Sequence, residues 1–238
     1  MGENLIGVES EDLKVITTYD TPMRKNAGFK VLSGNLFDSA LMKTSVISKD
    51  FQERFLSEPG NEGIFEARAV VFEGPEDYHD RINDPSLGID ERTILFIRGV
   101  GCVGYPGSAE VVNMQPPDAI IKQGINHLPT VGDGRQSGTS ESPSILNASP
   151  ESVVGGGLAY LQTGDMVRLD LNASTMNALV PDDEWQARKD AWVAPEIRHQ
   201  TPWQEIYRTH VGQLADGGCL ELATAYHKVG QDLPRDNH

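Results

Sequence analysis

TILFIRGVGCVGYPG, residues 93–107, is the stretch on which the fold turns. Its first six residues are β-branched and apolar enough to read as a short buried strand. The strand runs into Gly99-x-Gly101-x-x-Gly104, the spacing and position of a dinucleotide-binding turn. In a nucleotide fold the third glycine lies inside a helix whose N-terminus holds pyrophosphate. Here Tyr105, Pro106 and Gly107 follow at once and would interrupt that helix. The alternative is a glycine-rich loop that places the side chains after it, Glu110 first. A carboxylate just past a Pro-Gly turn can ligate a hard cation, or it can be an exposed acid at a helix start.

Outward from this stretch the same strand-and-turn character continues. FKVLSGN (29–35) and IFEARAVVFEG (64–74) read as strands stopped by glycine. PEDYHDRIN (75–83) reads as a helix, with proline at its first position and acids in its first turn. PPDAIIKQG (116–124) suggests a short helix closed by Gly124, and INHLPTVGDGRQSGTS (125–140) a strand entering a second glycine-rich turn. Ser149 and Pro150 look like a helix start. MVRLDL and TMNALV alternate as paired strands about LNAS, and DDEWQARKDAW and TPWQEIYRTHVGQL read as helices whose tryptophans are expected to pack. Residues 1–30 are polar and carry turn signals, which predicts a linker or arm ahead of a mixed α/β domain over 31–238.

Composition removes several classes of function. The chain of 238 residues is long enough for a core without disulfide or metal staples. With 35 acidic against 20 basic side chains its formal charge is −15, so a nucleic-acid backbone or an anionic membrane surface would be repelled. Cys102 and Cys219 form neither a C-x-x-C nor a Cys/His ligand spacing, and the six histidines show no i,i+4 pair. No apolar run approaches a membrane span, and MGENLIGVESEDLK lacks signal-peptide order. The expectation is a soluble, cytoplasmic protein with no nucleic-acid or membrane partner.

The second candidate constellation is GDGRQSGTS (132–140). It lacks the G-x-S-x-G of a nucleophile elbow and the lysine of a phosphate-binding P-loop. Free backbone N–H groups and Arg135 would make a locally positive pocket for a small anion in an acidic protein. The competing reading is an Asp133–Arg135 pair that ties down a turn.

LSGNL (32–36), GYPGSAEVVNM (104–114), LPTVGDGRQSGTSESPSILNASPESVVGGGLAYL (128–161), TGDMVRLDL (163–171), TPWQEIYR (201–208) and the closing PRDNH together resemble the C-terminal domain of the dihydroxy-acid and sugar-acid dehydratase family. The wording of GDGRQSGTS, NMQPPD and TPWQEIY is most similar to members acting on D-xylonate, with L-arabinonate and D-galactonate as alternatives. The resemblance implies a β-barrel-like swivelling β/β/α domain with flanking helices, like the mobile domain of aconitase-type hydro-lyases. It implies a larger N-terminal domain as partner, which would carry an iron–sulfur cluster and further Mg2+ ligands, and assembly as a homo-oligomer. Residue by residue, it implies Ser137 as the base at C2 and Glu110 as a Mg2+ ligand. Arg135, Thr139, Ser140 and Asn113 are then expected to contact a small anionic sugar acid. Many relatives carry Gly-Pro-Lys where this chain has Gly101, Cys102 and Val103, so a contact made by that lysine is missing or replaced. Two rivals stand beside this reading: a nicotinamide-dependent oxidoreductase and a non-catalytic assembly module.

Overall fold

Strand β4 (Thr93–Ile97) is buried along its whole length. Ile94 and Phe96 enter one apolar cluster while Leu95 and Ile97 enter another, so the strand is covered on both faces. A continuous apolar run is what such a position requires. The computed structural model describes residues 7, 12–18, 20–22, 28–136 and 141–224. Around β4 are β1 (Phe29–Gly34), β2 (Phe37–Lys43), β3 (Ile64–Phe72), β5 (Thr130–Gly132), β6 (Ser144–Ser149), β7 (Met166–Asp170) and β8 (Thr175–Ala178). They close into a barrel in the order β1-β2-β6-β5-β4-β3-β7-β8.

Strands β3, β4, β5 and β6 run parallel to one another, with Val71 opposite Phe96, Phe96 opposite Val131 and Val131 opposite Ile145. The other pairs are antiparallel except for a single parallel bridge, Ser33 to Thr175, that closes the barrel. Parallel neighbours need crossover connections. Helix α2 (Pro75–Arg81) lies in the β3–β4 connection and α3 (Asp118–Ile121) in the β4–β5 connection. One consequence decides where chemistry can sit: the carboxyl ends of four parallel strands share one rim, and the segments beginning at 73, 98, 133 and 150 leave from it.

Leu32, Phe37, Met42, Phe65, Phe96, Ile145, Leu169 and Met176 belong to the main core. A second layer, with Val70, Phe72, Leu95, Ile97, Ile82 and Leu128, has Tyr78 of α2 packed against it. Helix α1 (Lys49–Phe55) starts where Ser48 Oγ accepts from Phe51 N at 3.1 Å. Helix α4 (Asp182–Ala191) is fixed by Arg188, whose guanidinium meets the Asp165 carboxylate at 2.6 Å, and by Trp185 and Trp192 edge-on to Tyr160. Helix α5 (Pro202–His210) is capped by Thr201, with Pro202 at its start, and is followed by α6 (Glu221–Thr224). Among the described residues, no helix is long and apolar enough to cross a membrane.

The expected α/β, barrel-like architecture is present, with differences in detail. Strand β1 starts at Phe29 and ends at Gly34, as the reading of FKVLSGN expects. Ser149 ends β6 instead of capping a helix: a cis peptide joins it to Pro150, and only a short 3-10 turn over Ser152–Val154 follows. The segments forming β2, α1 and β6 went unread, because short mixed stretches acquire their strand or helix identity from neighbours. Trp203 does not pack into the fold and is 78% exposed.

Candidate functional site

At the rim, two buried carboxylates hold the glycine-rich loop after β4. Asp133, the first residue beyond β5, accepts from Gly99 N (3.1 Å), Val100 N (2.9 Å), Ser152 N (2.9 Å) and Ser152 Oγ (2.7 Å). Glu151, just beyond β6, accepts from Val103 N (2.9 Å), Gly104 N (2.9 Å) and the Gln213 side-chain amide (3.0 Å). The exits of three parallel strands are thereby tied together by acids that point inward. Burial pushes the Glu151 pKa above its ordinary 4.5, and the nearby Asp133 charge adds to the rise, against the lowering effect of the loop amides and Gln213.

The glycines are needed for this close approach. A Cβ on Gly104 would stand 2.5 Å from the carbonyl oxygen of Gly99, and one on Gly101 would stand 2.5 Å from Glu151 Oε2. The three-glycine spacing serves loop packing against buried acids, and the expected interruption of a nucleotide-type helix is observed: residues 98–117 contain no helix.

The same rim brings the two sequence constellations side by side. Arg135 N donates to Ala109 O (2.9 Å) and Val112 N donates to Arg135 O (3.3 Å), so the backbone about Glu110 lies against the backbone of Arg135. Arg135 Nε also donates to Ser108 O at 2.7 Å. Glu110, Asn113 and Arg135 are all exposed. Ser137, Thr139 and Ser140 lie outside the described residues. The competing reading of an Asp133–Arg135 pair is replaced: Asp133 bonds to the loops beside it, and Arg135 bonds to Ser108.

Several rim residues carry signs of function that spacing could not reveal. Ser108 and Asn147 sit in the left-handed backbone region at φ 54° and 58°. Ser108 Oγ, Asn147 Oδ1 and both amide atoms of Gln136 are buried without a hydrogen-bond partner among the described residues. Strained backbone and unpaired polar atoms concentrate at functional sites. Glu151 gave no such warning in sequence, since a lone glutamate after Ser-Pro reads as a helix-start charge.

The donor set decides what the described residues could hold. Among them no three His, Cys, Asp or Glu side chains gather as a metal site, and Glu110 offers one exposed carboxylate. Cys102 is buried, its thiol raised in pKa by that burial and hydrogen-bonded to Tyr207, while Cys219 is exposed. Two separated cysteines do not fit an iron–sulfur cluster, and the exposed Glu110 carboxylate alone does not make a magnesium site.

A closed α/β barrel whose parallel strands end on one rim, with loops clasped there by two buried acids, is the fold and candidate site of this chain. Residues 14–219 match the family model of the dihydroxy-acid/6-phosphogluconate dehydratase C-terminal domain, and the chain belongs to that family. It is 59% identical over 238 residues to the D-xylonate dehydratase of Caulobacter vibrioides, covering all of this chain and 40% of that protein. It is 32% identical over 243 residues to the L-arabonate dehydratase of Azospirillum brasilense, covering 99% of this chain and 40% of the relative. The dihydroxy-acid dehydratase of Clostridium beijerinckii is 34% identical over 224 residues, which are 93% of this chain and 38% of the relative. The chain thus spans about two-fifths of the length of the relatives it matches.

Proposed function

We propose that residues 31–238 are the C-terminal domain of a cytoplasmic sugar-acid dehydratase, preceded by an arm, and that the whole enzyme converts D-xylonate to a 2-keto-3-deoxy pentonate and water. L-Arabinonate and D-galactonate are the alternative substrates. The observation that carries this reading is the backbone pairing of Ala109 and Val112 with Arg135, which sets GYPGSAE against GDGRQ on one rim. The identity to a D-xylonate dehydratase over the full chain supports the choice of acid.

In this reading the chain's own groups do three things. Arg135, with Nε engaged by Ser108, presents the rest of its guanidinium to the substrate carboxylate. Asn113, Thr139 and Ser140 pair with the polyol hydroxyls. Ser137 takes the proton from C2 while hydroxide leaves C3, so that one water is lost and the enol tautomerises to the keto acid. An alcohol is a poor base near neutrality, so its alkoxide needs oriented donors, and Arg135 and the turn amides are the candidates in this chain. Glu110 would lend one oxygen to magnesium. The iron–sulfur cluster and the other magnesium ligands would belong to an N-terminal domain, in a homo-oligomer.

The test joins this chain to the N-terminal three-fifths of the C. vibrioides enzyme and scores 2-keto acid formation from D-xylonate, L-arabinonate, D-galactonate and 2,3-dihydroxyisovalerate by kcat/KM. A polyol site leaves buried donors unpaired when a branched alkyl acid binds, at about 1–3 kcal/mol each, so D-xylonate is expected to lead. Preference for dihydroxyisovalerate would overturn the sugar-acid reading, and absence of turnover with every acid would overturn the dehydratase reading.

A further inference from the structure

Helix α5 is amphipathic, yet only one of its apolar sides is covered. Gln204, Tyr207, Arg208 and the following Val211 make the inner side. Arg208 Nε donates to Val103 O at 2.8 Å, and the Tyr207 hydroxyl meets the Cys102 thiol and the backbone of Gly107. Helix α5 is therefore fastened to the same loop that leads to Glu110. Trp203 and Ile206, three residues apart and so neighbours on the helix surface, stand beside this inner side at 78% and 47% exposure. Tyr105, next to the Gly104 carbonyl that Arg208 also reaches, is 45% exposed. A helix that spends a tryptophan and an isoleucine on water next to a clasped loop is presenting a contact surface, since such side chains dominate the buried centres of interfaces.

We propose that Trp203 and Ile206 are the docking surface for the N-terminal portion of the full-length enzyme, seated over the rim that bears the candidate site. This deepens the dehydratase reading and rests on it. Two observations choose that occupant over a second copy of the chain. The relatives extend well beyond the region matched here, this chain being 40% of the C. vibrioides protein. The rim itself is incomplete as a metal site: among the described residues no three His, Cys, Asp or Glu side chains gather there. Whatever completes the site must approach this rim, and α5 stands on it. Exposed apolar residues elsewhere, such as Phe29 and Val31 on the β1 wall, have no such continuity with the site.

The experiment compares the 238-residue chain with the same chain joined to the N-terminal portion of the C. vibrioides enzyme. Ile206→Cys is introduced with Cys219→Ser, and its reaction with a maleimide is followed by peptide mass spectrometry. The proposal expects rapid modification in the chain alone and modification at least about tenfold slower in the joined protein, as solvent exclusion at an interface core requires. Val31→Cys should react equally in both. Equal rates at Ile206 would overturn the proposal. Protection in the chain alone that grows with concentration, together with a dimer mass, would overturn it in favour of self-association. Protection without turnover of any acid would sustain the surface while rejecting the reaction, and turnover without protection would do the reverse. A second measurement needs no joined protein: Trp203→Ser with Ile206→Ser should leave the Tm of the 238-residue chain unchanged. A marked fall would show that these side chains belong to its own core, and would overturn the proposal.

Discussion

Ser152 Oγ donates to Asp133 Oδ2 at 2.7 Å, and this contact fastens the exit of β6 to the exit of β5. The same carboxylate also receives the amides of Gly99 and Val100 after β4, so one side chain sets the spacing of three loops. Asp133→Asn keeps the shape but turns an N–H2 group toward some of these donors. Leaving buried donors unpaired costs about 1–3 kcal/mol each, so a loss of roughly 3 kcal/mol in unfolding free energy is expected by urea denaturation. A loss below about 0.5 kcal/mol would show that the clasp contributes little.

Glu151 makes stability depend on pH in a direction opposite to that of a salt-bridged acid. Its folded pKa lies above the ordinary 4.5, so the native protein binds this proton more tightly than the unfolded chain does. Below the unfolded value both states are protonated and the cost of burying charge is absent. As pH rises through the folded pKa that cost appears in full, so this group's contribution falls with rising pH. Subtracting the stability curve of Glu151→Gln from that of the parent should give a difference that declines as pH rises above the ordinary 4.5 and levels once the raised folded pKa has been passed. A difference that rises across that range would mean that the Val103, Gly104 and Gln213 donors outweigh burial.

Gly104 tests whether the loop's path is fixed by packing. An alanine there would bring its Cβ to 2.5 Å from a backbone oxygen, which cannot rotate away as a side chain could. Gly104→Ala should therefore destabilise the chain by about 1–3 kcal/mol, the usual cost of overpacking. It should also shift amide resonances as far as Gly99 and Glu151. Unchanged stability with an unchanged NMR spectrum would show that the loop relaxes freely.

How much of this was readable from sequence depends on where each element gets its information. The β4 run TILFI carries its own evidence, since a strand covered on both faces must be apolar throughout. Helix α5 likewise shows its Thr-Pro start. Strand β6 does not: SILNASPES offers Ser-Pro as a helix start, and only pairing with β2 and β5 makes it a strand. The two loops of the site were legible as dense, turn-rich segments, but their adjacency was not, because it is created by hydrogen bonds between residues more than twenty apart. Asp133 could be seen as a tether and was assigned the wrong partner, because a neighbouring arginine is a nearer guess than amides from another loop.

Arg135 is tethered through one edge of its guanidinium. Nε is taken by Ser108 O at 2.7 Å, and no other hydrogen bond or ion pair engages the group among the described residues. In the proposed function the outer nitrogens make a bidentate contact with the substrate carboxylate, which a lysine ammonium cannot copy. Arg135→Lys should keep positive charge in the loop yet lose both the Ser108 tether and the paired geometry. In the joined protein a charged hydrogen bond of about 1.5–3 kcal/mol corresponds to a KM for D-xylonate raised by roughly ten- to a hundredfold, with kcat changed much less. Stability of the chain alone should fall by only about 1 kcal/mol, the worth of one hydrogen bond. The two readouts separate the roles. A KM that stays constant while stability falls would make Arg135 a loop tether only, and a kcat that falls with KM constant would place it with the proton-transfer groups rather than with carboxylate binding.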